Sequence, residues 1–98
     1  MEFKELNPER LEKAANMLKA IAHPIRISIV QCLEDGKMRT VSEIHKQLGI
    51  EQSTASHHLG ILKDKNVLGS KREGKNTRYF LKHENLKIIL NCVSNCCQ

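Results

Sequence analysis

Aromatic side chains are almost missing from this chain. Its 98 residues hold no tryptophan, one tyrosine and two phenylalanines. A core without them has to be aliphatic, which favours interlocking Leu, Ile, Val and Ala stripes on helices. Proline occurs only as Pro8 and Pro24, so few helices are interrupted. No apolar run approaches the roughly 20 residues that a membrane-spanning helix needs, so no membrane partner is expected. The opening Met1-Glu2-Phe3-Lys4-Glu5 is charged, with no apolar segment behind it, which argues against a secretory signal. A cytoplasmic setting is therefore expected, with Cys32, Cys92, Cys96 and Cys97 reduced. Three of these four lie in the last seven residues, unlike a distributed disulfide framework.

A chain of this length makes one domain, residues 1–98, with no room for a second core. Dimerisation is a common way for such a chain to gain buried area. The net charge is +5. The window 63–82 alone carries Lys63, Lys65, Lys71, Arg72, Lys75, Arg78 and Lys82 against Asp64 and Glu73, which equals the net charge of the whole chain. A basic patch this concentrated suits a polyanion.

Asn7-Pro8 has the form of an N-cap followed by proline at the first helical position. Leu11, Ala14, Ala15, Leu18, Ile21 and Ala22 follow as a narrow apolar stripe. His23-Pro24 ends that helix, with His23 as a hydrogen-bonding junction residue. Pro24 opens a second helix, buried through Ile25, Ile29, Val30 and Leu33 with Cys32 nearby, and Asp35-Gly36 stops it. Thr40-Val41-Ser42-Glu43 has capping-box spacing. It starts a short helix with Val41, Ile44 and Leu48 inward, His45 facing solvent and Gly49 as the C-terminal glycine.

After Ile50 and Glu51 comes Gln52-Ser53-Thr54-Ala55-Ser56-His57-His58-Leu59-Gly60-Ile61-Leu62. On a helix, Ala55, Leu59 and Leu62 share one face. The opposite face is short, polar and uncharged, as suits contact with base edges and phosphates. A solvated amphipathic helix is the plainer reading of this stretch alone. Glu51 stands where a better N-cap such as Ser is expected. Two short helices around a tight glycine turn form a helix-turn-helix pattern. Val67–Arg72 and Thr77–Leu81 then alternate as strands around Glu73-Gly74-Lys75-Asn76. Glu84 to about Cys97 is a last helix, with Leu86, Ile89, Leu90, Val93 and Cys97 as its stripe. The expected fold is mostly α, a winged helix-turn-helix of five helices and a two-stranded β-wing. The first and last helices are left to form a dimer.

Three stretches resemble the ArsR/SmtB family of winged-helix repressors. They are Leu18–Arg26, Ser53–Leu62, and Arg72-Glu73-Gly74-Lys75 followed by Tyr79-Phe80-Leu81. Asn66 stands where that family often has glycine, and asparagine tolerates positive φ. The resemblance implies a homodimeric repressor on a palindromic operator in double-stranded DNA. It places Gln52, Ser53, Ser56 and His57 at groove-contacting positions, with Thr54 and His58 beside them. Ser56 flanks the outward face and suits phosphate. His58 supports packing or touches phosphate. Lys71, Arg72, Lys75 and Arg78 would hold backbone on or beside the wing.

The chain departs from the family's metal sites. Thr40 and Ser42 occupy the positions of its Cys pair. His83, Asn85 and Cys96 only partly match its last-helix set, which ends in a Glu that this chain does not reach. No cofactor is implied. Cys32, Cys92, Cys96 and Cys97 stay open to three readings: small apolar packing, a thiol-redox switch, or a thiol-rich metal site. A winged helix used only for protein interaction or dimerisation is the alternative function, and it would fit a neutral or acidic wing better. No nucleotide loop or placed base points to an enzyme.

Overall fold

A computed structural model describes residues 7–96, the side chain of Ser94 excepted. Helix α1 (Pro8–Ile21) is capped by the Asn7 side chain, which accepts from the Arg10 amide at 2.8 Å. Helix α2 (Pro24–Cys32) is capped by His23, whose Nδ1 accepts from the Ile25 amide at 3.1 Å. The short strand β1 (Arg39–Thr40) runs into α3 (Val41–Leu48), whose capping box is complete between Thr40 and Glu43. Gly49 ends α3 at φ +68°, and the Ile50 amide closes the turn on the His45 carbonyl. Helix α4 (Gln52–Asp64) follows. Asn66, at φ +68°, turns the chain into the sheet. Strands β2 (Leu68–Glu73) and β3 (Asn76–Leu81) form the hairpin, and α5 (Leu86–Cys96) completes the order.

The sheet has three strands in the order β1-β3-β2, all antiparallel. The expected two-stranded wing is present as β2 and β3, and β1 adds a third strand to it. Arg39 pairs with Tyr79 and Thr40 with Arg78. Two residues carry too short a pattern to register as a strand in sequence. What holds them is the neighbouring edge of β3 and the Arg39 guanidinium. It binds Asp35 at 2.9 and 2.6 Å and the Cys32 carbonyl at 2.8 Å. That bidentate pair keeps the Asp35 carboxyl far below the usual carboxylate range. The hairpin loop is also tighter than expected, with only Gly74 and Lys75 between the Glu73–Asn76 pair and Gly74 at φ +60°.

The core is aliphatic. Ile29, Val30, Leu33, Ile44, Ala55, Leu59, Leu62, Val67 and Leu68 are essentially inaccessible. They join α2, α3, α4 and the base of the hairpin into one cluster, to which Leu86 and Leu90 attach α5. The α1 stripe behaves differently. Ala20 and Ile21 are buried, but Leu11, Ala14, Ala15 and Leu18 are exposed. On α5, Ile88, Ile89 and Val93 are exposed as well. The outer helices thus contribute only their inner edges to this chain's own core. Among the described residues, no helix is long and apolar enough to cross a membrane.

Candidate nucleic-acid interface

Helix α4 is seated by its apolar face. Ala55, Leu59 and Leu62 are wholly buried, which fixes the rotation of the helix and sends Gln52, Ser53, Ser56 and His57 to solvent. Thr54 is half-buried between the two faces. Glu51 occupies the N-cap position without a side-chain cap bond. The leading amides of α4 are therefore free of a protein cap, and the helix start carries positive dipole character toward an anion. The Glu51 carboxylate, itself exposed, works against that attraction.

His58 is the correction in this group. It is only 7 % exposed and is the sole buried polar side chain among the described residues. Its Nδ1 accepts from Arg26 Nε at 3.1 Å, and its ring lies 4.6 Å from that of His23, centroid to centroid. Arg26 also donates to the Ala20 carbonyl at 3.0 Å. This latch ties the end of α1, the start of α2 and the middle of α4. Burial, then the charges of His23, Arg26 and His57, push the His58 pKa down, so the ring is neutral and able to accept. His57 and His58 point some 100° apart around the helix, and of the two roles open to His58, packing or phosphate, the structure supports packing. His45 is corrected as well: it is half-buried, with Nδ1 3.1 Å from the Ile50 carbonyl, and helps close the turn before α4.

On the wing, Lys71, Arg72 and Lys75 are exposed. Arg72 bends over the turn toward the Gly74 carbonyl at 3.4 Å. Arg78 is half-buried, and its guanidinium bridges Glu73 at 3.1 Å and Glu43 at 3.3 Å. Two carboxylates offset its charge, so it fastens the wing to the α3 capping box. The free cationic rim is carried by Lys71, Arg72 and Lys75.

The cysteines do not converge into a built centre among the described residues. Cys32 is buried, and desolvation raises its thiol pKa, which lowers its reactivity. Cys92 and Cys96 are exposed on α5. Cys97 lies outside the described residues. No group of three or more His, Cys, Asp or Glu among the described residues is arranged to hold a metal ion.

Comparison with known proteins agrees with this geometry. The profile of the family described as "Bacterial regulatory protein, arsR family" matches residues 23–68, from α2 to the start of the wing. The biofilm growth-associated repressor of Xylella fastidiosa is 32% identical over 85 residues, 87% of this chain and 74% of that protein. The crystal structure of the transcriptional repressor PagR of Bacillus anthracis superposes with a TM-score of 0.80 at 33% identity, covering 89% of this chain and 99% of that one. The homodimeric winged helix-turn-helix DNA-binding domain Mb0332 from Mycobacterium bovis superposes with a TM-score of 0.78 at 25% identity, covering 99% and 87%. A polar, uncharged helix face beside a basic wing, on this fold and among these relatives, has one consistent meaning: the chain belongs to the arsR family of bacterial regulatory proteins, as a winged-helix DNA-binding transcriptional regulator.

Proposed function

We propose that the chain is a homodimeric repressor of the cytoplasm. It binds a palindromic operator with α4 in the major groove and the wing on flanking backbone. The observation that carries this reading is the exposed Gln52, Ser53, Ser56 and His57 face, held rigidly by a fully buried opposite face. Ser53 and His57 read base edges, Gln52 meets the duplex at the helix end, and Ser56 takes phosphate. Lys71, Arg72 and Lys75 hold backbone. Arg78 acts through the wing's position, because Glu43 and Glu73 occupy it. Two copies of α4 then sit about 34 Å apart, one turn of DNA.

The dimer surface is formed by α1 and α5. Leu11 and Leu18 are 49% and 48% exposed, and Ile88 is 63% exposed. Large apolar side chains exposed on both helices call for a partner, and Mb0332, of the same fold, is homodimeric. A thiol-reactive signal acting through Cys92 or Cys96 fits their exposed positions on α5 better than one that starts at buried Cys32.

Fragments of host DNA selected by the protein identify the operator, and two substitutions then test the assignment. His57→Ala costs specific binding about 1–3 kcal/mol and narrows the ratio of specific to non-specific affinity. Lys75→Gln weakens both about equally and lowers the salt slope by about one. An unchanged specificity ratio in His57→Ala overturns the groove assignment.

A further inference from the structure

A groove of about 400 Å³ opens between the wing, the loop after α2 and the first turn of α5. That volume falls within the range of small-molecule sites, about 300–1,000 Å³. Met38, Phe80 and Leu81 line it, together with Lys71, Lys87 and Glu84. Two features set it apart from an ordinary crease.

The first is its floor. Phe80 pairs across the ladder with Gly69, and its ring lies so close to that strand that a Cβ at position 69 would meet Cζ and stand 2.7 Å from Cε2. Glycine at 69 is what lets the ring lie down against β2, presenting an aromatic surface in a chain that has three aromatic residues.

The second is its charge. Three other cations around the sheet have side-chain partners: Arg39 with Asp35, Arg78 with Glu43 and Glu73, Lys82 with Asn66. The Lys71 and Lys87 ammonium groups make no ion pair or side-chain hydrogen bond among the described residues. They face the groove with one carboxylate, Glu84, for company. An apolar, aromatic-floored groove with a surplus of one positive charge is complementary to a flat apolar body carrying one negative charge.

We propose that this groove is an effector site for a small aromatic carboxylate, whose ring packs on Phe80 and Met38 and whose carboxylate takes the Lys71 and Lys87 ammonium groups. The site joins two parts that matter for operator binding. Lys71 belongs to the wing rim, and Lys87 to the helix assigned to the dimer surface. A carboxylate held between them removes Lys71 from phosphate and ties the wing to α5. Ligand binding and DNA binding then oppose each other, and the opposition is reciprocal. This regulatory consequence rests on the DNA-binding role proposed for the wing, whereas the binding itself does not.

The full chain, labelled with ¹⁵N, is titrated with 1-naphthoate, and in parallel with 1-naphthalenemethanol as the neutral counterpart. The expected result is a saturable shift of the Met38, Lys71, Phe80, Leu81 and Lys87 amides with naphthoate, and binding of the alcohol weaker by about tenfold or more. Lys87→Gln, at a half-buried position outside the DNA rim, weakens naphthoate by a similar factor and leaves operator affinity without ligand unchanged. On operator DNA, saturating naphthoate weakens the wild-type complex and lowers its salt slope by about one phosphate contact. It has no such effect on Lys87→Gln. The binding proposal is overturned if those amides do not shift saturably at about 1 mM ligand, if the alcohol binds as well as the acid, or if Lys87→Gln binds as the wild type does. Saturable binding with no effect on an operator complex of normal affinity overturns the regulatory arm alone. Failure of the protein to bind any operator is a failure of the DNA-binding reading and leaves the naphthoate result standing.

Discussion

Replacing Arg26 by leucine cuts the latch behind the recognition helix, and the structure sets the size of the effect. Arg26 makes two hydrogen bonds, to His58 Nδ1 at 3.1 Å and to the Ala20 carbonyl at 3.0 Å. Both acceptors belong to buried residues. Stranding a buried acceptor costs about 1–3 kcal/mol, and bonds from a charged donor are worth about 1.5–3 kcal/mol each. Arg26 is itself only half-buried, so solvent recovers part of the loss. The expected destabilisation of Arg26→Leu is about 2–4 kcal/mol. His58→Leu leaves Arg26 able to reach water and costs less. The double variant then loses less than the sum of the two, with a coupling of about 1–2 kcal/mol.

Urea unfolding at one fixed protomer concentration reads these values, because dimerisation makes apparent stability concentration-dependent. The same latch gives a pH dependence. His58 has its pKa lowered by burial first and by neighbouring positive groups second. Its neutral form therefore adds stability that is complete above the unfolded value of about 6.5 and is lost as pH falls from there through the folded value. The wild type weakens as pH falls below about 6.5, and His58→Leu flattens that slope. Additive single effects, or an Arg26→Leu cost below about 0.5 kcal/mol, would refute the latch.

Leu18→Glu and Ile88→Glu, at positions 48% and 63% exposed, should give monomers by sedimentation with their helical circular dichroism intact; dimers in both variants would dismiss the α1/α5 surface. Gly69→Ala must push the Phe80 ring out of its seat and should cost about 1–3 kcal/mol in urea unfolding, as overpacking does; wild-type stability would mean that the ring moves freely. Operator affinity measured with peroxide, polysulfide, zinc or arsenite should respond in the wild type and not in Cys96→Ser/Cys97→Ser. Unchanged affinity under every treatment removes both thiol readings.

Much of the fold was set down in local chemistry. The Asn7 cap, the His23-Pro24 junction, the Thr40–Glu43 box and the Gly49 stop are each decided within about four residues. All four sit where the spacing put them. The positive φ of Asn66 followed instead from the resemblance to a family that often has glycine at that place. The outward face of α4 was local, because burial of Ala55, Leu59 and Leu62 rotates Ser53 and His57 away. Sequence alone therefore determined a helix-turn-helix followed by a basic hairpin, and the order of its parts.

What depends on partners far along the chain was decided only by the tertiary structure. Strand β1 exists because β3 offers an edge about 40 residues away, pairing Arg39 with Tyr79 and Thr40 with Arg78. His58 has a hydrogen-bond partner because Arg26, 32 residues earlier, reaches its nitrogen. Arg78 is tethered because Glu43 lies beside it in space and not in sequence. A side chain's periodicity tells which way it points, and only the packed neighbours tell whether it meets water, a carboxylate or another ring.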